Sequence, residues 1–189
     1  MYNKLIMNTY LSLLRGINVG GNNKVSMAEL KTVFEGLGYS DVRTYINSGN
    51  VIFKSAETDE KKMVERIEKG ILDHFGLNIP VVVRSKEEID RVTAKIPADW
   101  TNDQEMRTDV MFLWDEVDNE EAVQKVEINP AVDTLKHTKG AVIWHFLRKY
   151  ATKSKMSKII GTHFYKHLTA RNVNTVRKLQ SLMNLSERC

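Results

Sequence analysis

The chain has one cysteine, Cys189 at its very end, which excludes an internal disulfide framework and leaves no cysteine cluster to bind zinc. It has three prolines, and no apolar run approaches the roughly 20 residues of a membrane span. The first residues, Met1 to Met7, lack the long apolar region and small-residue cleavage site of a secretory signal. Met7 reads as an alternative start to Met1. H-E-x-x-H, EF-hand and G-x-S-x-G patterns are absent, which disfavours the best-marked metal and hydrolase sites. Together these absences point to a cytoplasmic globular protein with no membrane association, no metal and no resident cofactor.

What is present is a 189-residue chain with 42% hydrophobic residues, enough for one domain or two small ones. The net charge of +4 hides an imbalance. From Ala131 onward, eight Lys and four Arg face only Asp133 and Glu187, a balance of +10, while the rest of the chain carries −6. Such asymmetry suggests an acidic partner for the C-terminal part, or a solvated basic face.

The stretch Arg15-Gly16-Ile17-Asn18-Val19-Gly20-Gly21-Asn22-Asn23-Lys24 follows the apolar run Tyr10 to Leu14 and precedes a marked helix start. Ser26-Met27-Ala28-Glu29 is a capping box, with Val25 and Leu30 placed as a hydrophobic staple. Three glycines permit positive φ and close ligand approach, a helix N-terminus follows, and Arg15 and Lys24 add charge. These are the ingredients of an anion cradle. The stretch nevertheless fails both nucleotide motifs, since Asn22-Asn23 stands where Lys and then Ser or Thr should follow and no G-x-G-x-x-G occurs. It also reads as a glycine-rich chain reversal.

Further along, Met27, Leu30, Phe34 and Leu37 form a helical core stripe stopped at Gly38. A hairpin follows, with strands around Val42 to Ile46 and Val51 to Phe53 joined by Asn47-Ser48-Gly49-Asn50. An amphipathic helix from about Glu57 to Phe75 ends at Gly76, and Ile79 to Val83 is a strand whose Pro80 argues for an edge position. The order strand, helix, strand, strand, helix, strand is the split βαβ or ferredoxin-like unit. In that topology the first and third strands lie side by side, so the glycine loop and the Ser48-Gly49 turn should be neighbours.

Residues 85–108 read as a connecting helix and linker, with Trp100 as a plug between the halves. A strand from Asp109 to Leu113, a helix from about Asn119 to Val126, and a hairpin turning at Lys139-Gly140 follow, then helical patterns from about Lys153 and Asn174. The expected fold is therefore α+β, two ferredoxin-like (split βαβ) units in tandem with the second less complete. The divisions are 8–84, 85–108 and a basic second unit, 109–189.

Two segments, Leu14-Arg15-Gly16-Ile17-Asn18-Val19-Gly20-Gly21 and Thr44-Tyr45-Ile46-Asn47-Ser48-Gly49-Asn50, resemble the opening of the domain of unknown function 1697 family. The resemblance continues through Val81-Val82-Val83-Arg84-Ser85 to Thr169-Ala170-Arg171-Asn172. It implies a bacterial-type cytoplasmic protein with two ferredoxin-like parts, and supplies no catalytic residue. The family often has Gln where this chain has Asn47, and Trp where it has Val173, a position read as core.

The candidate ligand-binding residues are Arg15, Asn18, Gly20, Gly21, Lys24, Asn47, Ser48 and Asn50, with Arg171 and Asn172 in the second half. Lysines and arginines with interleaved Tyr150, Phe164 and Tyr165 would suit a phosphate backbone and stacked bases. The expected function is binding of a phosphate-bearing ligand, nucleic acid or nucleotide, through the glycine loop and the basic half. The alternative is a small-molecule enzyme with its site between the glycine loop and the Ser48-Gly49 turn. There Arg15 would hold an anionic group, Lys24 would stabilise developing charge, and Asn18 or Asn47 would orient the substrate. His163 and His167, four apart, offer at most half a metal site, and Ser48 has no base implied by spacing.

Overall fold

The computed structural model describes residues 6–186, so Cys189 and the Met1 end lie outside the described residues. The chain divides into two compact units. One runs to Glu87 and takes in the end of the chain from Leu179, and the other is Glu88–Lys178. Both are α+β, with repeated βαβ-like connectivity.

In the first unit β1 (Asn8–Leu14), α1 (Met27–Gly36), β2 (Ser40–Tyr45), β3 (Asn50–Ser55), α2 (Glu60–Phe75) and β4 (Val81–Ser85) follow one another. The strands form an antiparallel sheet in the order β2-β3-β1-β4. Strand β4 thus lies at an edge, where the unbonded nitrogen of Pro80 at its start costs little. Helix α1 starts as its capping box dictates, Ser26 Oγ accepting from Glu29 N–H at 3.4 Å. Helix α2 starts later than its apolar pattern suggests, because Asp59 caps it by accepting from the Lys61 and Lys62 N–H groups. Tyr10, Leu14, Val51, Phe53, Val81 and Val83 from the sheet meet Leu30, Phe34, Met63, Ile67 and Ile71 from the helices. Each fully buried side chain of this size stabilises by about 1.5–3 kcal/mol.

Helix α3 (Lys86–Ala94) spans the division at Glu87. The second unit then has β5 (Met106–Leu113), α4 (Glu120–Gln124), β6 (Thr134–Thr138) and β7 (Ala141–Leu147). After β7 come two 3₁₀ turns, Arg148–Tyr150 and Met156–Ile159, then α5 (His163–Lys166), β8 (Leu168–Asn172) and α6 (Val173–Ser186), which crosses the division at Leu179. The sheet order, β6-β7-β5-β8, repeats that of the first unit. Two expectations need correction. The pattern from Lys153 is not a helix but turns with a four-residue α5, because Lys153, Ser154 and Lys155 are drawn onto other partners. Strand β8, unforeseen, completes the sheet, so what falls short in the second unit is helical cover. Beneath that cover Trp144 is fully buried among Met111, Val142, Ile159 and Phe164.

Its indole N–H donates to Asp133 Oδ1 at 3.1 Å, and Ser154 Oγ–H donates to the same oxygen. Asp133 Oδ2 accepts from the Asn129 and Lys155 N–H groups, both at 2.9 Å. Burial by itself would raise this carboxyl's pKa, yet the four donors outweigh it and hold the value below the usual carboxylate range.

Candidate functional site

The glycine stretch is a miniature hairpin. Asn22 N–H donates to Val19 O at 3.0 Å, closing a two-residue turn in which Gly20 and Gly21 have φ of +58° and +82°. Consecutive positive φ values define a type I′ turn, which glycine enters without steric cost. One step back, Asn18 N–H donates to Asn23 O at 3.1 Å. The turn projects outward, with Val19 68% exposed and both glycines exposed.

Asn18 ties this hairpin to its surroundings. Its Nδ2 donates to Val25 O at 3.0 Å and Asn47 O at 2.9 Å, and its Oδ1 accepts from Val25 N–H at 2.9 Å. The glycine loop and the β2–β3 turn are therefore neighbours, joined through one amide side chain. The two loops meet again where Leu14 N–H donates to Gly49 O at 2.8 Å, and Arg15 N–H reaches Pro80 O at 2.9 Å on the third loop. Gly49 is demanded twice over: its φ is +72°, and an added Cβ would stand 2.6 Å from Leu14 Cβ and 2.8 Å from Ile17 Cδ1.

Asn50 is fully buried, and its Nδ2 donates to Tyr45 O and Ser48 Oγ, both at 2.9 Å. Asn18 and Asn50 thus spend their amides on the loops themselves. Arg15 is half-buried, while Lys24 and Asn47 are exposed. The segments 15–25, 46–50 and 76–80, which share this end of the sheet, contain Arg15, Lys24 and six asparagines but no carboxylate. Two carboxylates on the helices stand near it. Glu68 Oε1 accepts from Val81 N–H at 2.9 Å, and Glu29 sits 3.1 Å from His74 Nε2. Burial pushes the Glu68 carboxyl up, partly offset by that Val81 contact.

Arg171 and Asn172 belong to the second unit. Arg171, on β8, is 7% exposed, its Nη1 donating to Thr169 Oγ1 at 3.0 Å and Ala170 O at 2.8 Å. Burial pulls its pKa down to about 10, which leaves it charged at neutral pH. Asn172 Oδ1 accepts from Thr175 N–H at 2.9 Å and so caps α6. Other basic residues also work internally. Arg177 donates to Trp100 O and Pro97 O at 2.7 and 2.8 Å, Arg148 to Asn102 Oδ1 at 2.6 Å, and Lys155 pairs with Glu127 at 2.6 Å. Lys149 and Lys153 stand over the Tyr150 ring at 5.1 and 6.0 Å. Trp100 stacks on the His145 imidazole at 4.2 Å with Lys136 against its ring, and burial lowers the His145 pKa.

His163 and His167 are 4.3 Å apart, ring to ring, and the His167 Nδ1–H donates to the His163 carbonyl at 2.9 Å. Among the described residues no group of three or more His, Cys, Asp or Glu could hold a metal ion. Nor, among them, is any helix long and apolar enough to cross a membrane.

Sequence reasoning missed two residues of the first site. Asn23, with φ of +47°, donates from Nδ2 to Gly16 O at 3.0 Å, closing the hairpin's base. An Asn just past a glycine turn is a signal for that conformation, since asparagine tolerates the left-handed region. Ile46 has φ of +48° and is 49% exposed, an outlier for a β-branched residue with no sequence signal at all.

A family model described as "Protein of unknown function (DUF1697)" matches residues 7–144. Among solved structures, the conserved bacterial protein SP0830 from Streptococcus pneumoniae is 32% identical in sequence. The alignment spans 94% of this chain and 99% of that one, with a TM-score of 0.81. No curated protein matches the chain.

Proposed function

The chain belongs to the family of unknown function DUF1697, and from that premise we propose that it binds a phosphate-bearing ligand, nucleic acid or nucleotide, at the loop end of its first unit. One observation carries the reading: three loops bring two cations, a bare two-glycine turn and no carboxylate to one end of a sheet. Backbone amides at a glycine turn can approach an anion closely, and Arg15 is suited to a phosphate fork. Lys136, Lys139, Lys149, Lys153 and Lys178, exposed on the second unit, would add attraction for a polyanion. On this reading each unit is a ferredoxin-like split βαβ, the protein works in the bacterial cytoplasm, and its core holds the loops in register.

The test is an amide-resolved NMR titration at low salt with ATP, pyrophosphate and a short RNA. Expected are shifts at Gly20, Gly21 and Lys24 that are lost in Arg15→Ala, and an RNA affinity that falls steeply with salt. Absence of any shift at the glycine turn with all three probes would overturn the proposal.

A further inference from the structure

A concavity lies wholly within the second unit, a cleft of about 570 Å³ between α4 and the segment carrying the 3₁₀ turn Met156–Ile159 and α5. That volume falls in the range of about 300–1,000 Å³ typical of small-molecule sites. Its apolar lining comes from Val117, Ala122, Val126, Ile159 and Phe164, of which Val117, Ile159 and Phe164 are nearly inaccessible to solvent. The polar lining is largely spent. Glu121 pairs with Lys125, Glu127 with Lys155, the Asn119 side chain caps α4, and Thr162 Oγ1 donates to the Ile159 carbonyl.

Two opposite charges remain that form no ion pair among the described residues: Glu116, in the β5–α4 loop, and Lys158, on the facing turn. The Lys158 ammonium makes itself felt at Glu127 without closing on it, since Glu127 is held low first by Lys155 and only weakly by Lys158. We infer that this cleft binds a small zwitterion with an apolar body, its cationic group meeting Glu116, its anionic group meeting Lys158, and its apolar part covering Val117, Ala122 and Phe164. Three carboxylates on the rim argue against a polyanion here, so the site is distinct in chemistry from the loop end of the first unit.

The probes are L-phenylalanine, with phenethylamine and 3-phenylpropanoate as its singly charged analogues. Titrated into the ¹⁵N-labelled chain, L-phenylalanine is expected to shift the Val117, Ala122, Val126 and Phe164 amides and leave Gly20 and Gly21 unmoved. Each analogue should bind about two- to fivefold more weakly, and Glu116→Gln and Lys158→Gln should each erase the preference against one analogue only. Both charged side chains are exposed, so these variants keep the fold; Ala122→Met, which adds bulk to the apolar lining, should abolish the shifts. Equal affinity for all three probes, cleft shifts that survive Ala122→Met, or no cleft shift at millimolar L-phenylalanine would each overturn the inference.

Discussion

Replacing Gly49 by alanine separates two costs that usually arrive together. Gly49 and Gly21 have similar backbones, φ of +72° and +82°, so alanine pays about the same left-handed penalty at either, roughly 1–2 kcal/mol. A stiffer unfolded chain offsets about 0.4–1 kcal/mol of that in both. The surroundings differ. At Gly21 an added Cβ meets nothing within 4 Å, whereas at Gly49 it would lie 2.6 Å from Leu14 Cβ, an atom fixed to the backbone of a central strand. Overpacking of that kind costs about 1–3 kcal/mol more. Gly21→Ala should therefore lose about 1 kcal/mol, and Gly49→Ala about 2–4 kcal/mol. The assay is urea unfolding followed by far-UV circular dichroism and by amide signals of β1 and β3. Tryptophan fluorescence would not serve, because Trp100, Trp114 and Trp144 all lie in the second unit. Equal losses in the two variants would show that the Leu14 contact does not govern this junction.

Asp133→Ala strips one buried carboxylate from four donors, and should cost the second unit at least about 3 kcal/mol, read by tryptophan fluorescence during unfolding. Because the folded state holds the Asp133 pKa below its unfolded value near 4, its contribution is complete above about pH 4 and drains away as pH falls through the folded value. A pH series should find that acid-dependent loss smaller in Asp133→Asn than in the native chain. Asn18→Ala removes three hydrogen bonds at the loop junction and should destabilise by about 1–3 kcal/mol, with faster hydrogen exchange at the Val25 amide as the direct readout. Ile46→Asn relieves a left-handed β-branched residue and should raise stability by about 0.5–1 kcal/mol; a loss in the denaturation midpoint would mean that its half-exposed side chain packs more than its backbone strains.

Much of the first unit can be read directly from the chain, because its signals are local and agree with one another. Ser26 with Glu29 marks a helix start, Gly76 takes the left-handed cap that ends α2, and Pro80 marks the edge strand. The neighbouring of the glycine loop and the Ser48 turn follows from strand order alone. What could not be read was how side chains would be spent. Asn18 and Asn50 carry the groups of ligand contacts, but donor and acceptor inventories do not say whether the partner is a ligand or a nearby carbonyl. Arg148, Arg171 and Arg177 count as basic charge in any composition, yet Arg148 and Arg177 donate to partners far along the chain that no periodicity encodes, and Arg171 is buried on β8 with donors turned to Thr169 and Ala170 beside it. Strand β8 escaped for a related reason. Leu168-Thr169-Ala170-Arg171-Asn172 carries a charge at a buried position, and only pairing with β5 makes it a strand.

The first unit is assembled from both ends of the chain, since residues from Leu179 onward count with it while everything from Glu88 to Lys178 does not. Vectorial synthesis therefore cannot finish it in the order in which it is made. About ninety residues separate Glu87 from Leu179, and at typical elongation rates the ribosome takes roughly 5–20 s to bridge them. During that interval the sheet and helices of the first unit exist without their last segment, while the second unit is still being made. A chain shortened so as to lose residues 179–186 would lose part of the first unit and none of the second.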